Sequence, residues 1–315
     1  MRAALVTSFD TPPHLAEVPS PIASGDQELV TVLASALHPR VRSQADGSHY
    51  STTGDLPLIP GVDGVARDAE GTLRYFVVES GAMAEQIVID PRRSVALPGD
   101  VDPVVVAAAM NPAMSSWIAL LHRVDLTPGS RVLIMGATGN AGRMAVQVAR
   151  RLGAGHIAAA GRYPGRLAEL GDLGADAVVD LGRDPEEVRR DLAAVGRDVD
   201  VVLDYLWGPW AAATLRAVVP AREDDAQPLT WIQIGSVTGP ESPIPSAALR
   251  ACNLRIVGSG QGSVPPRDIL ADLPGLAAEV MTGGYAIDAH AVPLADVAEA
   301  WERSRTTRAR LVLTP

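Results

Sequence analysis

The segment Val132-Leu133-Ile134-Met135-Gly136-Ala137-Thr138-Gly139-Asn140-Ala141-Gly142 constrains this chain more than any other. Four consecutive apolar residues read as a buried strand, and they run directly into small residues at positions 136, 137, 139 and 142. A helix is expected at once, with Met144, Val148 and Leu152 at core-facing spacing. Gly136 allows the tight turn, Gly139 lets the backbone approach a pyrophosphate, and Gly142 permits close packing of helix on strand. The amides at the helix start, with Thr138, Asn140 and Ala141 beside them, then face phosphate oxygens. Glycines alone are weak evidence, but strand, glycine turn, helix and second strand in order point to a dinucleotide-binding βαβ unit.

The second strand ends at Ala158-Ala159-Ala160-Gly161-Arg162, about 20 residues past the last glycine, where an NAD enzyme places a carboxylate on the ribose hydroxyls. None is present. The turn reads Gly161-Arg162-Tyr163-Pro164-Gly165-Arg166, and the guanidinium groups of Arg162 and Arg166 suit a ribose phosphate. NADPH is therefore the expected cofactor, in preference to NADH.

A length of 315 residues exceeds one ordinary core and suits two domains. Up to about residue 112 the texture is β-rich and broken by Pro and Gly, with strands expected at Glu28 to Leu33, Leu73 to Val78 and Ala84 to Ile89. From about Ser115 to Gly262, apolar strands alternate with amphipathic helical stretches: Arg131 to Met135, Ile157 to Ala160, Ala177 to Val179, Val199 to Asp204, Leu229 to Ile234 and Leu254 to Val257. Such alternation predicts an α/β fold, a parallel sheet with helices on both faces. The remainder holds a helical segment, Ile269 to Met281, and a strand-like end at Ala309 to Leu313 that is expected to rejoin the first domain.

Composition removes several alternatives. A net charge of -10 without a concentrated basic face disfavours nucleic acid. All positive side chains are arginine, so Schiff-base, phosphate-loop and nucleophilic lysines are absent together. The single cysteine, Cys252, forms no internal disulfide and reads as a small apolar residue. Apolar stretches such as Val104 to Met110 look too short to cross a bilayer, and the start at Met1 lacks the run of a signal peptide. A cytoplasmic protein without a membrane partner is expected.

Beyond these readings the chain resembles the medium-chain dehydrogenase/reductase superfamily, in its zinc-independent quinone oxidoreductase and enoyl reductase branch. The resemblance runs nearly end to end. It is carried by Leu58-Ile59-Pro60-Gly61-Val62-Asp63-Gly64, by Gly81-Ala82-Met83-Ala84-Glu85, and by Ala107 to Trp117, with Ser115 in place of a threonine near the nicotinamide. Asp200 to Gly208 is similar to the fourth-strand motif and contributes Tyr205. Ile234-Gly235-Ser236 and Val257-Gly258-Ser259 resemble loops covering the nicotinamide. The resemblance implies a GroES-like, mostly β catalytic domain at 1–112, a Rossmann domain at 113–262 with a doubly wound parallel sheet, and a return segment at 263–315 completing the first domain.

The chain departs from that pattern at one corner. The Asn-Pro-x-Asp segment appears as His38-Pro39-Arg40-Val41, while Tyr50 matches the tyrosine placed beside substrate and nicotinamide. Tyr50 and His38 are thus the candidate hydrogen-bond donors to a developing enolate, His38 also reading as a structural histidine at a surface turn. One cysteine cannot form a four-cysteine zinc site, and Gly61-Val62-Asp63 stands where Gly-His-Glu would hold a catalytic zinc, so no metal is expected. The implied reaction is hydride transfer from NADPH to a quinone or to the β-carbon of an α,β-unsaturated carbonyl compound. A dedicated biosynthetic reductase acting on an imine, iminium or natural-product intermediate, and a non-catalytic NADPH-binding protein, remain as alternatives. The resembled family also implies a homodimer, with Leu254 to Val257 otherwise left as an exposed apolar sheet edge.

Overall fold

Apolar strands spaced by helices settle into a parallel sheet because each crossover returns the chain to the same end of the layer. The computed structural model describes residues 1–282 and 284–315. The first stretch contains β1 (Arg2–Leu5), β2 (His14–Glu17), β3 (Glu28–Ala36), α1 (Pro39–Ala45), β4 (Asp63–Arg67), β5 (Leu73–Val77), β6 (Gln86–Ile89), β7 (Ser94–Leu97) and α2 (Pro103–His122). Then come β8 (Arg131–Met135), α3 (Asn140–Arg151), β9 (His156–Gly161), α4 (Pro164–Glu169), β10 (Ala177–Asp180), α5 (Pro185–Gly196), β11 (Val201–Asp204) and α6 (Gly208–Val218). The chain continues through β12 (Leu229–Gln233), α7 (Ala248–Ala251), β13 (Leu254–Gly258), α8 (Pro266–Met281), β14 (Ala289–Pro293), α9 (Val297–Arg303) and β15 (Arg310–Thr314). Two compact units result, one of Met1–Asn111 with Leu273–Pro315, the other of Pro112–Asp272. The divisions fall inside α2 and α8, the second of them beyond residue 262.

In the second unit the strand order is β10-β9-β8-β11-β12-β13, every pair parallel. Strand order reverses between β8 and β11, the kind of switch point where open α/β sheets bind ligands. Continuous apolar runs suit strands covered on both faces: Val132 to Met135 and Val201 to Asp204 are all buried. Leu133, Met135, Val202, Leu215 and Trp231 form the centre of one core cluster. α5 begins with Pro185 as its first residue, and the Asp184 carboxylate accepts the Glu186 and Glu187 amides. α3 buries more than one face: Arg143 and Gln147 lie inside along with Met144 and Val148, whereas Leu152 is its half-buried C-cap. Arg143 is neutralised there by Glu169 at 2.5 Å.

In the first unit a mixed sheet runs β14-β15-β3-β4-β5-β7, with β6 also paired to β3. Its last strand, β15, pairs antiparallel with β3 through Val312 and Ala36, which brings the chain end into the sheet begun by its first third. Several expected limits shift by one or two residues: β6 starts at Gln86, Ala84 making only an isolated bridge to Ala3, and β11 starts at Val201, although the Asp200 backbone still bonds to Arg131 and Thr230. The apolar stretch from Val104 to Met110 lies within the longer α2. α2 continues through Pro112 to His122 and is long and apolar enough to cross a membrane, although 61% of its apolar window is buried within the protein.

Candidate active site

At the carboxyl end of β8 the backbone turns through Gly136, whose φ of +86 is readily adopted only by glycine. A Cβ on Gly142 would stand 2.3 Å from the Gly136 carbonyl oxygen, so α3 can lie this close to β8 only with glycine there. Gly139 is exposed, and a Cβ on it would meet only the Gly136 oxygen at 3.4 Å. The amides that open α3, from Asn140, Ala141 and Gly142, have no partner within the helix and carry its positive end. The first two belong to half-buried residues. Amides placed in this way suit an anionic group.

β9 brings the second turn against the first. A Cβ on Gly161 would lie 2.4 Å from the Thr138 methyl carbon, so the two loops touch with nothing between them. Arg166, in α4, reaches back across this contact and donates from Nη1 to the Asn140 Oδ1 at 2.9 Å and the Thr138 carbonyl at 3.3 Å. Arg162 is exposed, its guanidinium lying over the Tyr163 ring at 5.5 Å. Thr138, Asn140, Gly161 and Arg166 are thereby joined, with Arg162 at the rim.

Beside them, β11 ends in a buried carboxylate. Asp204 accepts the amides of Leu206 and Trp207 on Oδ1 at 2.8 and 2.9 Å and the Trp231 indole on Oδ2 at 3.0 Å. Burial raises its pKa, and those three donors oppose the rise. The Tyr205 hydroxyl meets the Ser115 hydroxyl at 3.0 Å, and burial pushes its pKa to about 12 against the hydrogen bonds from Ser115 and Ser116. After β12, the amides of Ile234 and Gly235 both turn onto the Asp204 carbonyl, and Ser236 is exposed. Gly258 and Ser259 stand apart at the end of the edge strand β13, tied to β12 by the Ser259 amide on the Gln233 carbonyl.

The first unit holds the other two expected residues. His38 is not at a surface turn: it is 2% exposed, and its Nε2 lies 3.0 Å from the Asp63 Oδ1. The Tyr75 hydroxyl donates to the other Asp63 oxygen at 2.9 Å, so one buried carboxylate joins α1, β4 and β5. Burial lowers the His38 pKa more than the neighbouring Asp63 raises it. The ring is committed to this interior network, which removes the physical basis for expecting it at an exposed turn. Tyr50 is 72% exposed and stacks on His49 at a centroid distance of 4.3 Å. Burial lowers the pKa of the half-buried Arg40, and the acidic groups of Tyr50, Asp63 and Glu79 oppose the fall. Asp204, Tyr75 and Arg40 were outside the expected site; Arg40 and Asp204 lay within motifs already quoted, while Tyr75 carried no signal beyond its place in a strand.

Comparison with known proteins places these features. A probable NADPH-dependent quinone reductase of Emericella nidulans is 30% identical over the full length of both chains. The chain belongs to the medium-chain dehydrogenase/reductase superfamily, in its quinone reductase-like branch. Within the superfamily, the quinone oxidoreductase of Thermus thermophilus, solved alone and in complex with NADPH, superposes with a TM-score of 0.85 at 26% identity, covering all of both chains. A quinone oxidoreductase of Pseudomonas syringae shares the fold, with a TM-score of 0.81, 20% identity and full coverage of both chains. The zinc-binding dehydrogenase family matches residues 141–277. The residues do not fit a zinc ion: among the described residues no group of three or more His, Cys, Asp and Glu side chains converges, and His38 and Asp63 are bound to each other.

The buried histidine sets a pH dependence. Its folded pKa lies below the ordinary value of about 6.5, so the unfolded chain takes up the proton first as pH falls. The stability contributed by the neutral ring is fully present above about pH 6.5 and is lost below it. Urea unfolding at about pH 7.5 and about pH 5.5 should show a smaller acid loss for His38→Gln than for the unaltered protein; parallel losses would show that His38 does not drive the slope.

Proposed function

We propose that this chain binds NADPH across the carboxyl ends of β8, β9 and β11 and transfers hydride to a quinone or to the activated C=C of an α,β-unsaturated carbonyl compound. The observation that carries the reading is Arg166, held against the glycine loop by Thr138 and Asn140 on a turn that lacks a carboxylate. The names of two full-length relatives, a probable NADPH-dependent quinone reductase and a quinone oxidoreductase with an NADPH complex, support it. NADPH, when bound, supplies the hydride.

The chain's own residues bind and orient. Gly136, Gly139, Asn140, Ala141 and Gly142 hold the pyrophosphate, and Gly161, Arg162 and Arg166 take the ribose phosphate. Ser115, Tyr205, Ile234, Gly235, Ser236, Gly258 and Ser259 line the nicotinamide half. We assign the hydrogen bond to the acceptor oxygen to Tyr50, with the Arg40 charge nearby, and assign His38 the task of holding the start of α1 through Asp63. No metal step is needed in this scheme. We place the enzyme in the cytoplasm as a homodimer joined at β13, the edge strand of the parallel sheet.

NADPH should bind at least about tenfold tighter than NADH, a difference of roughly 1.4 kcal/mol, and Arg162→Asp should reverse the preference. Titration of intrinsic tryptophan fluorescence with each cofactor decides it, equal affinities refuting the assignment of that turn. Tyr50→Phe should lower turnover of an enone by on the order of 100-fold, whereas loss of a merely packing hydroxyl costs little. Near-normal turnover in that variant would remove Tyr50 from the mechanism. Light scattering at micromolar concentration should return the mass of a dimer, and a monomer would overturn the β13 interface.

A further inference from the structure

Between β11 and α6 the backbone passes through Trp207 with φ 54 and ψ -146, the one non-glycine residue with positive φ among the described residues. A side chain strains this conformation, which persists only where the surroundings over-determine it. Two residues do so here. Asp204 takes the Leu206 and Trp207 amides from one side. From the other, the Thr238 hydroxyl shares its proton between the carbonyls of Leu206 at 3.0 Å and Trp207 at 2.9 Å, and the Thr238 amide also donates to Leu206.

The clamped turn sits at the switch point of the sheet, wedged between two other strand ends. A Cβ on Gly136 would lie 3.1 Å from Leu206 Cδ2 and 3.3 Å from Tyr205 Cβ; one on Gly235 would lie 2.9 Å from the Tyr205 carbonyl oxygen. Gly208 follows with φ +55, and a Cβ there would stand 2.8 Å from the Thr238 backbone. A side chain at any of these three glycines would press on the clamped segments.

We infer that Thr238, with Asp204, is a positioning residue that holds the Tyr205–Trp207 turn, against its own backbone preference, in the shape that receives the nicotinamide half of the cofactor. The inference rests on the NADPH reading proposed above. Because the clamp is made entirely of the chain's own groups, the turn it holds need not be ordered when the cofactor arrives, and affinity is gained by that preorganisation.

Glycine adopts this φ and ψ without strain, so the clamp should matter only while Trp207 carries a side chain. A cycle of Thr238→Val and Trp207→Gly tests this, with NADPH affinity by calorimetry and the melting temperature of the cofactor-free protein as its two readouts. Thr238→Val should weaken NADPH binding by about tenfold in the Trp207 background and by less than about threefold in the Trp207→Gly background, with a matching difference in melting temperature. Thr238→Ser, which keeps the hydroxyl, should retain wild-type affinity. If the unaltered protein fails to bind NADPH, the cofactor reading falls, and the role of the clamp in binding falls with it. If it binds, and Thr238→Val costs the same in both backgrounds or nothing in either, the clamp is refuted while the cofactor reading stands.

Discussion

At the carboxyl end of the parallel sheet, glycine backbone meets neighbouring backbone or a threonine side chain at distances that exclude even one methyl group. Gly142 beside the Gly136 carbonyl sets how closely α3 lies on β8, and Gly161 beside Thr138 sets how closely the turn after β9 lies on the turn after β8. With α3 in that place, its unpaired amides and positive end are fixed relative to Arg166, which itself bonds to Asn140 and the Thr138 carbonyl. A single side chain at either glycine would part the two loops and separate the group suited to a pyrophosphate from the group suited to a ribose phosphate.

Each unit of the protein also holds a buried carboxylate that is satisfied rather than left bare. Asp204 is met by two amides and an indole, and Asp63 by a histidine and a tyrosine. An uncompensated buried charge would cost several kcal/mol or more, so removing any one partner is expected to matter beyond the bond itself. The two acids do similar work in separate units: each sits at the end of a strand and pins an irregular segment that local propensity would leave loose. For Asp63 the pinned segment is the start of α1, and for Asp204 it is the turn into α6.

The parts of the fold that were legible share one property, that their signal is local. β8 and α3 could be read because a continuous apolar run and small residues at fixed spacing report strand, turn and helix within about twenty residues. The turn from Gly161 to Arg166 was legible for the same reason, since its informative feature is a missing acid at a known offset. Short elements of the first unit were less visible. β4 carries a glycine and two charged residues in five positions, and it is a strand because β3 and β5 pair with it on either side. α2 was not read as a helix: it carries Pro112 in its interior and continues through it to His122.

The sequence by itself determined the βαβ unit, the lack of lysine chemistry, the turn after β9 that carries two arginines and no carboxylate, and the absence of a cysteine set for zinc. Each of these depends on which residues are neighbours along the chain. Tertiary structure alone decided that His38 is interior and joined to Asp63 and Tyr75, that Arg166 turns back onto the glycine loop, and that Thr238 and Asp204 hold Trp207 from opposite sides. The residues in the His38 network come from the N-cap of α1 and from β4 and β5, and those in the clamp from the end of β11 and the turns that follow β11 and β12, far apart in sequence. Burial, hydrogen-bond partners and pKa belong to the neighbours that folding supplies, and no local pattern encodes them.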